Sequence, residues 1–385
     1  FEQVEKGLYG AIIVEENDPP DVDHDITLVI DDVLLDDFGK INTNFLDWET
    51  VHHEGRMGNN ILINGSLSPK FITIDDQDRL RIRIINACNA RRILVDIPFS
   101  FSQIVAMDGQ PLENPYMENI ATLQPGERVD FICDTNHLKD PNKTNITIPW
   151  SEPITMAQMM DMPGMNMNTI SSLPKKDQLD GDIIIAKFDY QKSHRSSLNR
   201  PHVANSKLEK NNIPTGFDLK NKTTSIIELN SIVGINGQKY AMHKEEYLSK
   251  KKLNLLNQAW VINGVAGLPK DPLFRVMRGE TVELVFNNSD KEHVMMIEGE
   301  DGTMKEMRHE AVYHAMHMHG HHFKITESPN NPHLIGLQKD VVEVSPGEVV
   351  KALFIADNPG KWLIHCHMLE HAASGMVTWF EVMND

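Results

Sequence analysis

The sequence predicts an all-β protein made of tandem β-sandwiches or barrels, and three observations carry that expectation. Its apolar segments are short and rich in β-branched residues, Gly- and Pro-containing turn signals separate them, and no stretch shows a sustained helical period. The strand candidates of the first half are, in order, Thr27–Ile30, Ile61–Asn64, Phe71–Ile74, Leu80–Asn86 and Val129–Cys133. More follow at Ile183–Phe188, Thr224–Leu229, Thr281–Phe286, Val341–Val344, Val349–Phe354 and Val377–Val382. Between them lie Asp108-Gly109, Pro125-Gly126, Arg278-Gly279, Pro346-Gly347 and Pro359-Gly360, dipeptides that reverse a chain between strands.

The chain has 385 residues, enough at roughly 150 residues per domain for two or three domains, each able to bury a core. Acidic residues outnumber basic ones 55 to 37, a formal charge of −18 that opposes binding to nucleic acid or to an anionic membrane surface. No apolar run approaches the ~20 residues that span a bilayer, so neither a nucleic-acid partner nor membrane insertion is expected. Composition shifts mark the boundaries. Glu15 to Asp37 holds ten acidic residues, no Lys or Arg, and the pair Pro19-Pro20, and its first part reads as a linker into a new domain. Tyr190 to Lys222, rich in Lys, Asn and Ser, reads as a second linker or a long surface loop. The expected organisation is a terminal strand remnant over 1–20, a domain over 21–190, a linker over 191–223 and a second domain over 224–385. The chain opens Phe-Glu-Gln without a signal-peptide pattern, and Gly7–Val14 reads as a strand in need of partners, so a preceding segment is expected. A weak internal echo sets Leu123-Gln-Pro-Gly-Glu-Arg-Val-Asp130 beside Val344-Ser-Pro-Gly-Glu-Val-Val-Lys351 and fits two similar units.

Chemistry is concentrated near the C-terminus. Of 18 His, nine fall between His314 and His371, and the chain also has 20 Met. Three widely spaced Cys (Cys88, Cys133, Cys366) imply no disulfide framework, with a Cys88–Cys133 pair left open. Imidazoles, thioethers and one thiolate are the donors of copper rather than of zinc or magnesium. The two clusters read His314-Ala-Met-His317-Met-His319-Gly320 and His365-Cys366-His367-Met-Leu-Glu-His371-Ala-Ala-Ser-Gly-Met376. Alternate residues of a strand share a face, so His365 and His367 point one way and Cys366 the other, and one strand can serve two metal centres. His317 and His319 share a face by the same rule. Two imidazoles, a thiolate and a weak thioether make a blue-copper electron-transfer site, and His314, Cys366, His371 and Met376 come in a suitable order.

These residues closely resemble the two C-terminal copper motifs of the multicopper oxidases. The resemblance extends along the chain. Gln3 with Gly7-Leu-Tyr-Gly10 is similar to the end of that family's first cupredoxin domain. Leu80-Arg-Ile-Arg-Ile-Ile-Asn-Ala87, Asp108-Gly-Gln-Pro111 and Pro125-Gly-Glu-Arg-Val-Asp130 are similar to its middle domain. Trp260-Val-Ile-Asn-Gly264, Arg278-Gly-Glu-Thr281 and Lys339-Asp340 are similar to its third. The resemblance implies tandem cupredoxin-like Greek-key domains, copper as cofactor, and a periplasmic or secreted location. It implies that His314, Cys366, His371 and axial Met376 bind a type 1 copper, that His317 is a type 2 ligand, and that His319, His365 and His367 are type 3 ligands. Electrons from a small reductant, Cu(I) or phenol-like, would pass through Cys366 to His365 and His367, and the trinuclear cluster would reduce dioxygen to water.

The sequence departs from the family in one respect. The family carries two further His-x-His pairs in its first domain, and here the nearest candidate is the adjacent pair His52-His53. The type 1 set is therefore complete, the type 2 and type 3 sets are partial, and a missing N-terminal domain is expected to be required for the cluster. Met156, Met159, Met160, Met162, Met165 and Met167 form a polar, Pro-Gly-broken stretch that reads as a recruitment site for cuprous ions rather than as core. Met295, Met296, Met304, Met307, Met316 and Met318 lie closer to the type 1 ligands, the last two in positions that suit simple packing. The rival readings are a copper electron-transfer module without oxygen chemistry and a two-domain copper nitrite reductase. The His-Cys-His triplet with its upstream His-x-x-His-x-His speaks against the reductase.

Overall fold

The structure is a computed structural model that describes residues 1–45, 50–51, 54–140, 143–150, 181–191, 202–233, 258–298, 304–309 and 311–384. The chain divides into an N-terminal unit, Glu2–Thr43 with Met57–Asn211, and a C-terminal unit, Phe1 with Asn44–Arg56 and Asn212–Asp385. Both are β-structures, and among the described residues the helices are short turns, as the all-β expectation requires.

The N-terminal unit contains β1 (His24–Val33), β2 (Asn60–Ile63), β3 (Lys70–Asp75), β4 (Arg79–Asn86), β5 (Ile93–Asp96), β6 (Phe99–Met107), β7 (Gln110–Met117), β8 (Ile120–Leu123), β9 (Arg128–Leu138), β10 (Asn145–Trp150) and β11 (Gly181–Gln191). They form a six-stranded sheet ordered β2-β1-β4-β9-β6-β7 and a five-stranded sheet ordered β3-β11-β10-β5-β8. Period-two patterning explains β4. Leu80, Ile82 and Ile84 are fully buried, while Arg79, Arg81 and Arg83 pair with Asp134, Asp130 and Asp25 at 2.7, 2.7 and 2.6 Å. The acid-rich leading stretch contributes to this ladder, because Glu16 reaches Arg81 at 2.7 Å. From the Lys/Asn/Ser-rich stretch, Val203 and Leu208 are buried against Val105, Ala106 and Ile132 of the same unit.

The C-terminal unit contains β12 (Thr223–Val233), β13 (Gln258–Ile262), β14 (Arg275–Met277), β15 (Thr281–Asn288), β16 (His293–Glu298), β17 (Met304–His309), β18 (His314–Met318), β19 (Phe323–Glu327), β20 (Gln338–Lys339), β21 (Val341–Val344), β22 (Val349–Ile355), β23 (Gly360–Cys366) and β24 (Val377–Met383). Its sheets run β13-β12-β15-β22-β19-β20 and β14-β24-β23-β18-β21, the orders of the first unit strand for strand, with the β16–β17 hairpin added. The repeat extends to single bonds. Asn86 Nδ2 donates to the carbonyls of Arg91 and Leu123 at 2.9 and 3.0 Å, and Asn288 Nδ2 donates to those of Val312 and Val344 at 2.9 and 3.0 Å. Asn64 and Asn263 share a left-handed backbone and accept the N–H of Val29 and Glu228, each at 2.7 Å. The faint sequence echo therefore marks a repeated architecture.

One expectation is corrected and one open question is answered. Gly7–Val14 forms no strand, and Leu8, Ile12 and Val14 are exposed; a strand exists only through its ladder, and among the described residues this segment has none. Cys88 and Cys133 are buried free thiols, not a disulfide pair.

Candidate metal centre

The site is built on two antiparallel neighbours, β18 and β23, in register Met316 to Cys366 and His317 to His365. Alternation along the pair separates their side chains. Met316, Met318, His314 and Cys366 are buried on the core face, whereas His317, His319, His365 and His367 are only partly buried on the other. Met316 and Met318 belong to the apolar core, so these two methionines pack.

On the core face, His314 Nδ1 and His371 Nδ1 lie 3.2 Å apart, and Cys366 Sγ lies 3.8 and 3.7 Å from them. A point equidistant from the three atoms is about 2 Å from each, close to metal–imidazole and metal–thiolate bond lengths (about 2.0–2.3 Å). All three residues and Met376 are fully buried. A one-turn helix, Leu369–Ala373, carries His371 back toward the strand end, and the loop closes with the Met376 N–H donating to the His371 carbonyl at 2.9 Å. The Cys366 N–H donates in turn to the Met376 carbonyl at 3.1 Å. Burial pushes the Cys366 thiol up to about 12, so it keeps its proton at neutral pH unless a cation displaces it.

On the opposite face, His319 Nε2 and His365 Nε2 are 3.0 Å apart, and the His317 ring lies 4.8 Å from His319, 5.4 Å from His365 and 5.7 Å from His367. Backbone carbonyls set two of the tautomers. Carbonyls can only accept, so His317 Nδ1–H donates to Asp340 O at 2.8 Å and His365 Nδ1–H donates to Cys366 O at 2.7 Å. In both rings Nε2 then carries the lone pair, the atom through which an imidazole ligates a metal, and that of His365 faces His319 Nε2. Burial, with the neighbouring His317 second, lowers His365 to about 3 and His319 to about 4, which keeps both rings neutral at pH 7.

Sequence patterning alone missed the supports of these rings. The Trp260 ring lies 4.3 Å from His371 and 5.1 Å from His314, and its indole N–H donates to Val51 O at 2.7 Å. Gly375, at φ +133°, passes so close beneath that a Cβ there would meet Trp260 O at 2.5 Å. Gly320, at φ +72°, lies against Trp362 in the same way, with 2.3 Å available. Trp260 and Asp340 carried a signal only as parts of family-like motifs, because neither bears a ligating atom in the pattern. The Met156–Met167 stretch and His52-His53 lie outside the described residues.

The profile of the multicopper oxidases matches residues 240–385, the span that holds every one of these ligand candidates. A multicopper oxidase of Staphylococcus haemolyticus is 24% identical over 99% of this chain. The chain is thus similar to the multicopper oxidases, by the profile over residues 240–385 and by the staphylococcal relative over nearly its whole length. It spans 65% of that staphylococcal protein's length. The fold agrees: the solved multicopper oxidase of Pseudomonas thermotolerans superposes over 99% of this chain and 73% of its own, with TM-score 0.65 at 19% identity. A Campylobacter jejuni multicopper oxidase, described as a metallo-oxidase, does so over 94% and 64%, with TM-score 0.60 at 22% identity. Multicopper oxidases are oxidoreductases with copper cofactors. Copper suits the buried triad here, whose convergent imidazole, imidazole and thiol donors with a methionine at hand match its preferences. The described residues contain no helix long and apolar enough to cross a membrane.

Proposed function

We propose that the complete protein is a copper-dependent oxidase that takes single electrons from a small reductant, Cu(I) or phenol-like, and reduces dioxygen to water. The observation that carries this reading is the β18–β23 pair, which presents a buried His2Cys triad on one face and an imidazole cluster on the other. His314, Cys366, His371 and Met376 would hold one copper ion, and His317, His319, His365 and His367 would be this chain's share of a trinuclear site. Bound copper would supply the one-electron redox couple and the reduction of oxygen. The chain supplies position and insulation. Cys366 contributes its thiol to the first site and its carbonyl to the Nδ1–H of His365 in the second, so a single residue and one 2.7 Å hydrogen bond join them. Full burial of the triad keeps water from its donors. In this reading the protein works in the periplasm or outside the cell, and further imidazoles beyond the four here would complete the cluster.

Copper loading tests the reading. The loaded chain should show the intense visible absorption of a copper–thiolate bond, and Cys366→Ser should abolish it; a variant that stayed blue would remove Cys366 from the site. Oxygen uptake by this chain alone should be negligible, the behaviour of an electron-transfer module. Full four-electron turnover without added residues would contradict the half-cluster.

A further inference from the structure

The internal repeat lets the two sandwiches be compared place by place, and at one place they differ. Ile30 of β1 pairs with Asn86 and Leu229 of β12 pairs with Asn288, so Asp31 and Asn230 hold the same position in their units. The residues two beyond each pinning Asn correspond as well. The Cys88 N–H donates to Asn86 Oδ1 at 3.0 Å, and the Asp290 N–H donates to Asn288 Oδ1 at 3.2 Å. In the N-terminal unit a phenol stands at this place: the Tyr9 hydroxyl donates to the Asp31 carboxyl group, with Asp32 and Cys88 close by. Leu62 lies directly across the ladder from Asp31, as Val261 does from Asn230.

At the corresponding place of the C-terminal unit the described residues form a cleft of about 540 Å³, lined by Glu228, Asn230, Ser231, Val261, Asn263 and Ser289. That volume is in the range of small-molecule sites. A phenol needs an apolar wall for its ring and an acceptor for its hydroxyl. Val261 supplies the first, and it shares a face with Asn230 because the two are a cross-strand pair. Asn230 Oδ1 supplies the second: it takes the Ser231 N–H at 2.7 Å, and a carbonyl oxygen has a further lone pair for a second donor. The acceptor here is a neutral amide where the sister unit has a carboxyl group, so a hydroxyl binds without competing with a proton. The Glu228 carboxylate, held by Asn287 Nδ2 at 3.0 and 2.9 Å, sets a negative charge beside the cleft and disfavours phenolates and other anions. Val261 follows Trp260 on β13, and alternation turns the Trp260 ring the other way, onto His371 at 4.3 Å.

We propose that this cleft binds a neutral para-substituted phenol, its ring against Val261 and its hydroxyl on the Asn230 amide, at the place that Tyr9 takes in the sister unit. The site stands on the repeat and the cleft, requires no copper, and goes beyond the oxidase reading.

Titration of para-fluorophenol into the full chain without copper, followed by fluorine NMR, tests the site. Binding should saturate with one equivalent. Asn230→Leu, which removes the acceptor, and Ser289→Phe, which fills the cleft, should each weaken it at least about tenfold, the loss that one discriminating hydrogen bond produces. Para-fluoroanisole keeps the ring without the donor and should also bind at least about tenfold more weakly. Tyr9→Phe lies in the other unit and should leave the affinity unchanged. Far-ultraviolet circular dichroism matching that of the unsubstituted chain reports an intact fold in each variant. No saturable binding, equal affinity for the phenol and the anisole, binding that survives either cleft substitution, or a loss in the Tyr9 variant overturns the site. None of these outcomes touches the Cys366 absorption test, and an absent copper–thiolate band leaves the titration standing, so the two readings fail separately.

Discussion

Trp260 packs on both buried imidazoles and is anchored at its far edge by the 2.7 Å bond to Val51 O. Trp260→Phe keeps an aromatic surface and deletes that donor, leaving a buried carbonyl short of a partner. The expected loss is about 1–3 kcal/mol in denaturant unfolding with the copper–thiolate band retained; unchanged stability would mean that the bond contributes nothing net. In the other unit, Asp31 is buried beside Asp32 and Cys88 and hydrogen-bonded to Tyr9. Burial, opposed by the Tyr9 hydrogen bond and reinforced by Asp32, pushes its carboxyl from 3.8 up to about 7. The folded protein then holds a proton that the unfolded chain releases between about pH 4 and 7. Its contribution to stability therefore falls as pH rises through that window and is level above it. Asp31→Asn should flatten this part of the profile, measured as the wild-type-minus-variant difference in denaturant midpoints across that range; parallel profiles would contradict the burial account.

At the scale of elements, each sandwich is pinned by an Asn at the end of a central strand. Asn86 closes β4 against the carbonyls of Arg91 and Leu123, and Asn288 closes β15 against those of Val312 and Val344. All four bonds are buried, so truncation leaves two carbonyls unpaired in either unit. Asn86→Ala and Asn288→Ala should each cost about 2–4 kcal/mol. Scanning calorimetry should show the two losses to be alike, because the bond geometry is alike. A loss confined to one variant would reduce the repeat to a resemblance of outline. The β18–β23 pair depends on the same regularity, since a slip of one residue would exchange Cys366 with a histidine across the faces.

For the whole molecule, the two units share one strand order and carry different inserts. Met156–Met167 falls in the connection from β10 to β11, the counterpart of the C-terminal connection from β23 to β24 that holds His371 and Met376. In the complete protein, deleting it should lower Cu(I) oxidation while leaving turnover of a small phenol unchanged or raised, because thioethers concentrate cuprous ions and a phenol does not need them. Side-by-side kinetics decide the matter: equal losses on both substrates would assign the loop a structural role. The acidic surface, −18 overall, fits a cation as reductant and offers no basic field to a polyanion.

Much of the site was legible from residue order. Strand alternation separates Cys366 from His365 and His367 without any coordinates, since a pleated strand leaves its side chains two directions only. The all-β class followed from short apolar runs and turn dipeptides, which are local properties of the chain. Other features were not local. His314 and Cys366 meet because β18 lies beside β23, a pairing set by packing over many residues, and the sequence leaves the distance between their donors undetermined until that pairing forms. Trp260 and the Asp340 carbonyl support the rings from distant points of the chain, through contacts that no spacing rule encodes. Gly7–Val14 looked like a strand because its residues favour one, yet a strand requires a partner's backbone, and that is decided by tertiary structure. Residue order determined which donors this protein has and which face each takes; only the assembled sheets determined which donors stand within reach of one metal, because distances between strands are set by the packed core.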